Sequence, residues 1–215
     1  MASTTKVIPL RSPSQAIPRK PNRSTMAFLS PEEVLAVLKT ARIRSIRDWA
    51  MVLLAYRHGL RASEVCGLKL SDVNLKDQTI RVARLKGSML TVQPLVPHRG
   101  QPLLDELAAL RAWIKARPTD GSDFLFTSQK GGKLDRTQFF RVFRACAEAA
   151  GLKPEKRHPH VLKHSLASNL VAAGVHLALI KQALGHRSIN STMVYVGVSD
   201  GQAGEAVQSA LMMLY

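Results

Sequence analysis

Acidic residues are scarce in this chain of 215 residues: 15 Asp and Glu stand against 31 Lys and Arg, a formal net charge of +16. A small neutral substrate does not require that imbalance, whereas a polyanion such as nucleic acid or an anionic membrane surface does. Long apolar runs are missing too. The longest, Ala50 to Tyr56, is far short of the roughly 20 residues of a membrane-spanning helix. Val7 to Leu10 is too brief for a signal-peptide core. There are only two cysteines, Cys66 and Cys146, each within an apolar helical pattern. They read as reduced core residues of a cytoplasmic protein. The histidines lack cysteine or carboxylate neighbours at ligand spacing, so neither a metal nor another cofactor is expected. Tyrosine is rare: Tyr56, Tyr195 and Tyr215 are all there is.

What is present is a core. Apolar residues make up 46% of the chain, enough for one full-sized domain. Residues 1–25 stand apart, with Lys6, Arg11, Arg19, Lys20 and Arg23, no acid, and four prolines. Such a segment buries too little surface to fold alone. It reads either as a flexible leader or as a basic arm lying along a phosphate backbone. Residues 26–200 form the folded domain, and 201–215 a tail helix that docks in cis or in trans.

The domain is expected to be mainly α with a small antiparallel β-hairpin or sheet. Ser30-Pro31-Glu32-Glu33 is a helix start with a capping box. A second helix runs from Ile46 to His58 and stops at Gly59, and a third starts near Ala62. Residues 79–96 change period: Ile80 and Val82 alternate with polar neighbours, Lys86-Gly87-Ser88 makes a turn, and Leu90, Val92 and Leu95 follow. Helical patterning resumes at 103–117 and 136–150, with the short apolar stretch Phe124–Phe126 between them. Three short helices, 160–173, 176–184 and 188–195, are broken by Gly174 and Gly185.

Four places carry groups able to act on a phosphodiester: Arg61 in Gly59-Leu60-Arg61-Ala62-Ser63-Glu64, Lys86 on the turn, His160 and Lys163 in His158-Pro159-His160-Val161-Leu162-Lys163-His164, and His186 in Leu184-Gly185-His186. Tyr195 follows nine residues later. In order and spacing this set resembles the tyrosine recombinase, or phage integrase, family over residues 28–197. It is most similar to short members without a separate N-terminal core-binding domain, such as the fimbrial phase-switch invertases.

The resemblance implies the tyrosine recombinase catalytic-domain fold and site-specific cutting and rejoining of DNA. Tyr195 is then the nucleophile that forms a 3′-phosphotyrosyl link. Arg61 holds the non-bridging oxygens. Lys86 protonates the departing 5′-oxygen. His160 handles the tyrosine proton or helps hold the phosphate, and His186 donates to a non-bridging oxygen. Glu64, one turn along the third helix, orients Arg61 or caps locally. His164 is a structural histidine. Arg84, Arg136, Arg141, Arg144 and Arg187 are candidate DNA contacts, those on 136–144 weighed against a solvated basic face. The implied partner is double-stranded DNA at inverted half-sites, bound by a homo-tetramer with accessory DNA-bending proteins.

One position departs from the family pattern. Lys163 stands where the family has arginine; charge is kept, but the bidentate fork is lost. Two alternatives therefore stay open: a non-catalytic DNA-binding accessory protein, and topoisomerase-like relaxation by the same tyrosine chemistry.

Overall fold

The computed structural model describes residues 26–84, 90–119, 121–128, 131–195, 207–209 and 211–213. The basic arm, the Lys86 turn and most of the tail lie outside these residues.

Helix α1 (Pro31–Arg44) starts as its sequence dictates. Ser30 Oγ accepts from Glu33 N at 3.3 Å, and Glu33 Oε2 accepts from Ser30 N at 2.9 Å. Helix α2 (Ile46–Arg57) carries the apolar run, and Ala50 to Ala55 are wholly buried. A helix apolar all round belongs at the centre of a fold, and α2 packs against α1, α4 (Glu106–Ala116) and α6 (His160–Ala172).

Gly59 ends α2 with φ +56°, and a Cβ there would sit 2.5 Å from Leu184 Cδ2. Left-handed backbone and close approach both demand glycine. Gly59→Ala is expected to destabilise by about 2–4 kcal/mol, read as a lowered urea midpoint with an unchanged slope. The turn delivers Arg61, in extended conformation, to the start of α3 (Ala62–Gly67).

The expected small antiparallel sheet has three strands. Strands β1 (Val73–Asn74), β2 (Thr79–Val82) and β3 (Thr91–Pro94) pair antiparallel in that order, with Val73 opposite Ile80 and Ile80 opposite Gln93. A two-residue strand is too short to show a period. Ile80 and Val82 point into the core as expected. Leu90 and Val92 face solvent, while Thr91 is buried and Gln93 half-buried. The cause is Gln93, whose polar side chain binds partners inside the fold.

Helix α5 (Arg136–Ala149), capped by Asp135, buries Phe139, Phe143, Cys146 and Ala147. The Phe124–Phe126 segment bridges to Lys69, and Phe126 stacks on Trp113 at 6.1 Å. Both cysteines are buried and free, and burial pushes their thiols up to about 11. Helices α7 (Leu177–Leu184) and α8 (Asn190–Met193) pack beyond α6. The 188–195 segment thus holds one helical turn rather than a full helix. Ala167, Ile180 and Leu184 form a second, small core there, and Tyr195 packs on it. Among the described residues, no helix is long and apolar enough to cross a membrane.

Candidate active site

The site forms around the C-terminus of α7, where helix carbonyls lose their intrahelical donors. Donors from three other elements supply them. Arg84, just after β2, donates to Ala183 O at 2.9 Å; Gln93 of β3 donates to the same oxygen at 2.9 Å; Lys163 of α6 donates to Leu184 O at 3.0 Å. Cations suit the negative end of a helix dipole. Gly185 then turns the chain in left-handed conformation, φ +64°. A Cβ on it would meet the Arg84 side chain at 3.0 Å. The turn places His186, buried, with its Nδ1 3.0 Å from Thr192 Oγ1 of α8. Its Nε2 is left as the ring nitrogen available to a ligand.

Glu64 connects this point to Arg61. Its carboxylate is fully buried. Oε1 accepts from Arg61 Nη1 at 2.8 Å, and Oε2 accepts from Arg61 N at 2.8 Å and Arg84 Nη1 at 3.3 Å. The expected role of Glu64 as the group that orients Arg61 matches this geometry. About a third of the Arg61 side chain remains exposed, which leaves part of its fork for an incoming anion.

Arg84, expected as a DNA contact, is buried. Its side chain is 0% exposed and spends its donors on Glu64 and on the carbonyls of His58, Gly59 and Ala183. It holds α2, α3 and α7 in register beneath the site. A basic residue beside a turn reads as a surface group until its carbonyl partners, far away in the chain, are known.

Arg61, Arg84 and Lys163 thus surround a single carboxylate, and the titratable groups respond. Burial, then the charges of Arg61 and Arg84, push Lys163 down to about 7 against the pull of Glu64. Burial, then Lys163, Arg61 and Arg84, push His186 down to about 4. Burial raises the Tyr195 phenol, and Arg61 opposes it. A pocket with this excess of positive charge favours an anion, and a phosphodiester carries one negative charge within reach of forked and point donors.

His160 caps the outer edge. It is exposed and lines a cleft of about 290 Å³ with Ala62, Arg136, Thr137, Phe140 and Pro159. Arg141, Arg144 and Arg187 are exposed as well. Lys86 lies outside the described residues.

Two contacts lie beyond the reach of sequence. His58 stands at the end of α2. It is buried, with Nδ1 2.8 Å from Gln93 Oε1 and Nε2 2.6 Å from Glu106 Oε1. Burial pushes the Glu106 carboxyl up, but His58, the Val96 amide and Arg57 outweigh it and hold that group low. His164, expected as a structural histidine, is half-buried, and its Nδ1 lies 2.9 Å from the Tyr195 hydroxyl. No periodicity marks either role. Among the described residues, no cluster of three or more His, Cys, Asp or Glu is placed to hold a metal ion.

Comparison with known proteins agrees with this geometry. Residues 27–202 match the family model described as the phage integrase family. The type 1 fimbriae regulatory protein FimB of Escherichia coli (strain K12) is 37% identical over 180 residues, covering 81% of this chain and 86% of FimB. A crystal structure of XerA recombinase superposes with TM-score 0.69 at 27% identity, covering 86% of this chain and 65% of that one. XerH site-specific recombinase bound to its difH substrate gives TM-score 0.69 at 25% identity, covering 86% of this chain and 55% of that one.

Proposed function

The chain belongs to the phage integrase family, and on that premise we propose that it is a site-specific DNA recombinase that works through a 3′-phosphotyrosyl intermediate. The observation that carries this reading is the position of Tyr195. It packs on the second core, of which Leu184 is part; Lys163 holds the Leu184 carbonyl, and Gly185 leads from there to His186.

The Tyr195 hydroxyl attacks phosphorus, the P–O5′ bond breaks, and a 5′-hydroxyl leaves. Attack by another strand's 5′-hydroxyl reverses the step and releases the tyrosine. Bond energy stays in the ester, so rejoining requires no nucleotide. Arg61 and Lys163 bind the non-bridging oxygens, His186 Nε2 donates to one of them, and His160 holds the phosphate from the cleft side. Lys86 protonates the departing 5′-oxygen.

The partner is double-stranded DNA. Inverted half-sites, a homo-tetramer, tail docking and accessory bending proteins belong to the same proposal. Arg136, Arg141, Arg144 and Arg187 are its surface contacts. Arg141 and Arg144 stand one turn apart on the exposed side of α5, opposite the buried Phe139 and Phe143. Replacing both by Ala is expected to lower the salt slope of DNA binding by about 2, roughly 0.9 per phosphate contact. A slope equal to that of the wild type assigns them to a solvated face.

The direct test uses nicked duplexes tiled from DNA flanking the gene, incubated with the full chain and run on denaturing gels. A covalent protein–DNA band supports the reading. Binding without a band points to the accessory protein. Relaxation of a plasmid without rearrangement between two sites points to the topoisomerase-like activity.

A further inference from the structure

His164 stands four residues after His160 on α6, so the two lie on one face of the helix. Their surroundings differ. His160 is exposed, and its ring neighbour is His158 at 6.4 Å. His164 is half-buried, with its ring centroid 5.8 Å from that of Tyr195 at 45° and its Nδ1 2.9 Å from the hydroxyl. Three other polar groups of the site make their hydrogen bonds away from the phenol: His186 Nδ1 with Thr192, Lys163 with Leu184 O, Arg61 with Glu64. Among the described residues, His164 is the one side chain that hydrogen-bonds the Tyr195 hydroxyl.

We propose that His164 Nδ1 accepts the Tyr195 proton during strand cleavage and returns it during rejoining. The inference rests on the recombinase reading above. In cleavage the phenolic oxygen bonds to phosphorus while P–O5′ breaks. The phenolic proton moves to Nδ1, and O5′ takes its proton from Lys86. In rejoining the incoming 5′-hydroxyl bonds to phosphorus and gives its proton to Lys86. The phosphotyrosyl bond breaks, and the departing phenolate recovers the proton from His164.

Geometry comes first for a proton acceptor, and 2.9 Å is within the working range. Protonation state agrees. An imidazole nitrogen accepts only when the ring is neutral. Burial, then His160, His158 and Lys163, hold His164 down to about 4, so the ring is neutral at physiological pH. An arriving phosphodiester puts negative charge among those cations and makes the imidazole a stronger base. The tyrosine gains acidity in the same step, as its oxygen becomes an aryl phosphate ester.

The test compares wild type, His164→Ala and His164→Asn by the rate of covalent adduct formation on the nicked duplexes, with DNA binding measured alongside. Both variants are expected to bind DNA and to form adduct at least about 100-fold more slowly, the usual cost of a lost proton acceptor. Added imidazoles are expected to rescue His164→Ala at rates that rise with their basicity. A nick with a 5′-bridging sulfur, whose leaving group needs no proton, is expected to leave the defect in place. An adduct rate in His164→Ala or His164→Asn equal to the wild-type rate overturns the proposal, as does rescue that ignores basicity. Absence of adduct from the wild type as well removes the recombinase reading itself.

Discussion

Tyr195→Phe is expected to abolish the covalent protein–DNA adduct while leaving the fold and DNA affinity nearly intact. The missing atom is the one that bonds to phosphorus, and no neighbouring group replaces it. Loss of a nucleophile of this kind costs on the order of 10⁶-fold in rate. The structural cost is small by comparison. The ring still packs against Ala167, Ile180 and Leu184, and the hydrogen bond to His164 is given up, about 1 kcal/mol. Adduct yield on a denaturing gel and affinity by gel shift separate the two effects. Loss of binding together with the adduct would mean that Tyr195 is part of the scaffold. An adduct from the variant would place the nucleophile elsewhere.

The second large effect concerns Lys163, in opposite directions for stability and for chemistry. Its ammonium is buried between two arginines and pushed down to about 7. Relative to the usual value near 10.5, that displacement corresponds to on the order of 4–5 kcal/mol against the charged form. Below pH 7 the lysine is protonated in the folded and the unfolded chain alike, and this cost is fully present. Between about 7 and 10.5 the unfolded chain holds the proton and the folded chain does not, so this group makes stability rise with pH. Lys163→Met removes the buried charge at similar volume. It is expected to stabilise by about 3–4 kcal/mol at pH 6, after about 1 kcal/mol is given up for the Leu184 carbonyl's donor. The gain is expected to shrink to little by pH 10. Urea midpoints at the two pH values measure it, and an equal gain at both would show that charge is not the cause.

Catalysis responds with the other sign. Lys163→Met is expected to lose adduct formation because a cation at the phosphate is gone, about 10²–10³-fold for one such donor. In the wild type, adduct formation is expected to fall as pH rises above the lysine's value in the DNA complex. A bound phosphodiester places that value above 7. Lys163→Arg keeps its charge throughout and is expected to lack this descending limb. The departure at Lys163 therefore replaces a permanent charge with one that pH controls.

The helix starts were legible because caps are local. Ser30 with Glu33 and Asp135 with Gln138 close their hydrogen bonds within four residues of chain. Arg61, His160, Lys163, His186 and Tyr195 were legible as a set because the resemblance rests on residue types in order. What failed was long-range. Val92 and Gln93 look alike to a rule of alternation, and only their neighbours decide which faces in. Gln93 turns inward because His58 and the Ala183 carbonyl meet it there. Arg84 looked like a groove contact until the carbonyls of Ala183, His58 and Gly59 closed around it.

The sequence by itself determined the charge that selects a polyanion and the mainly helical class, and it offered the candidate site residues. Each depends on composition or on spacing along a few turns of chain. Tertiary structure alone decided which cations are buried, that three donors converge on the end of α7, and that His164 rather than His160 meets the Tyr195 hydroxyl. These are contacts between residues up to 99 positions apart, Arg84 with Ala183 being the widest. Hydrogen bonds of that range form only when the packed core has brought their partners together.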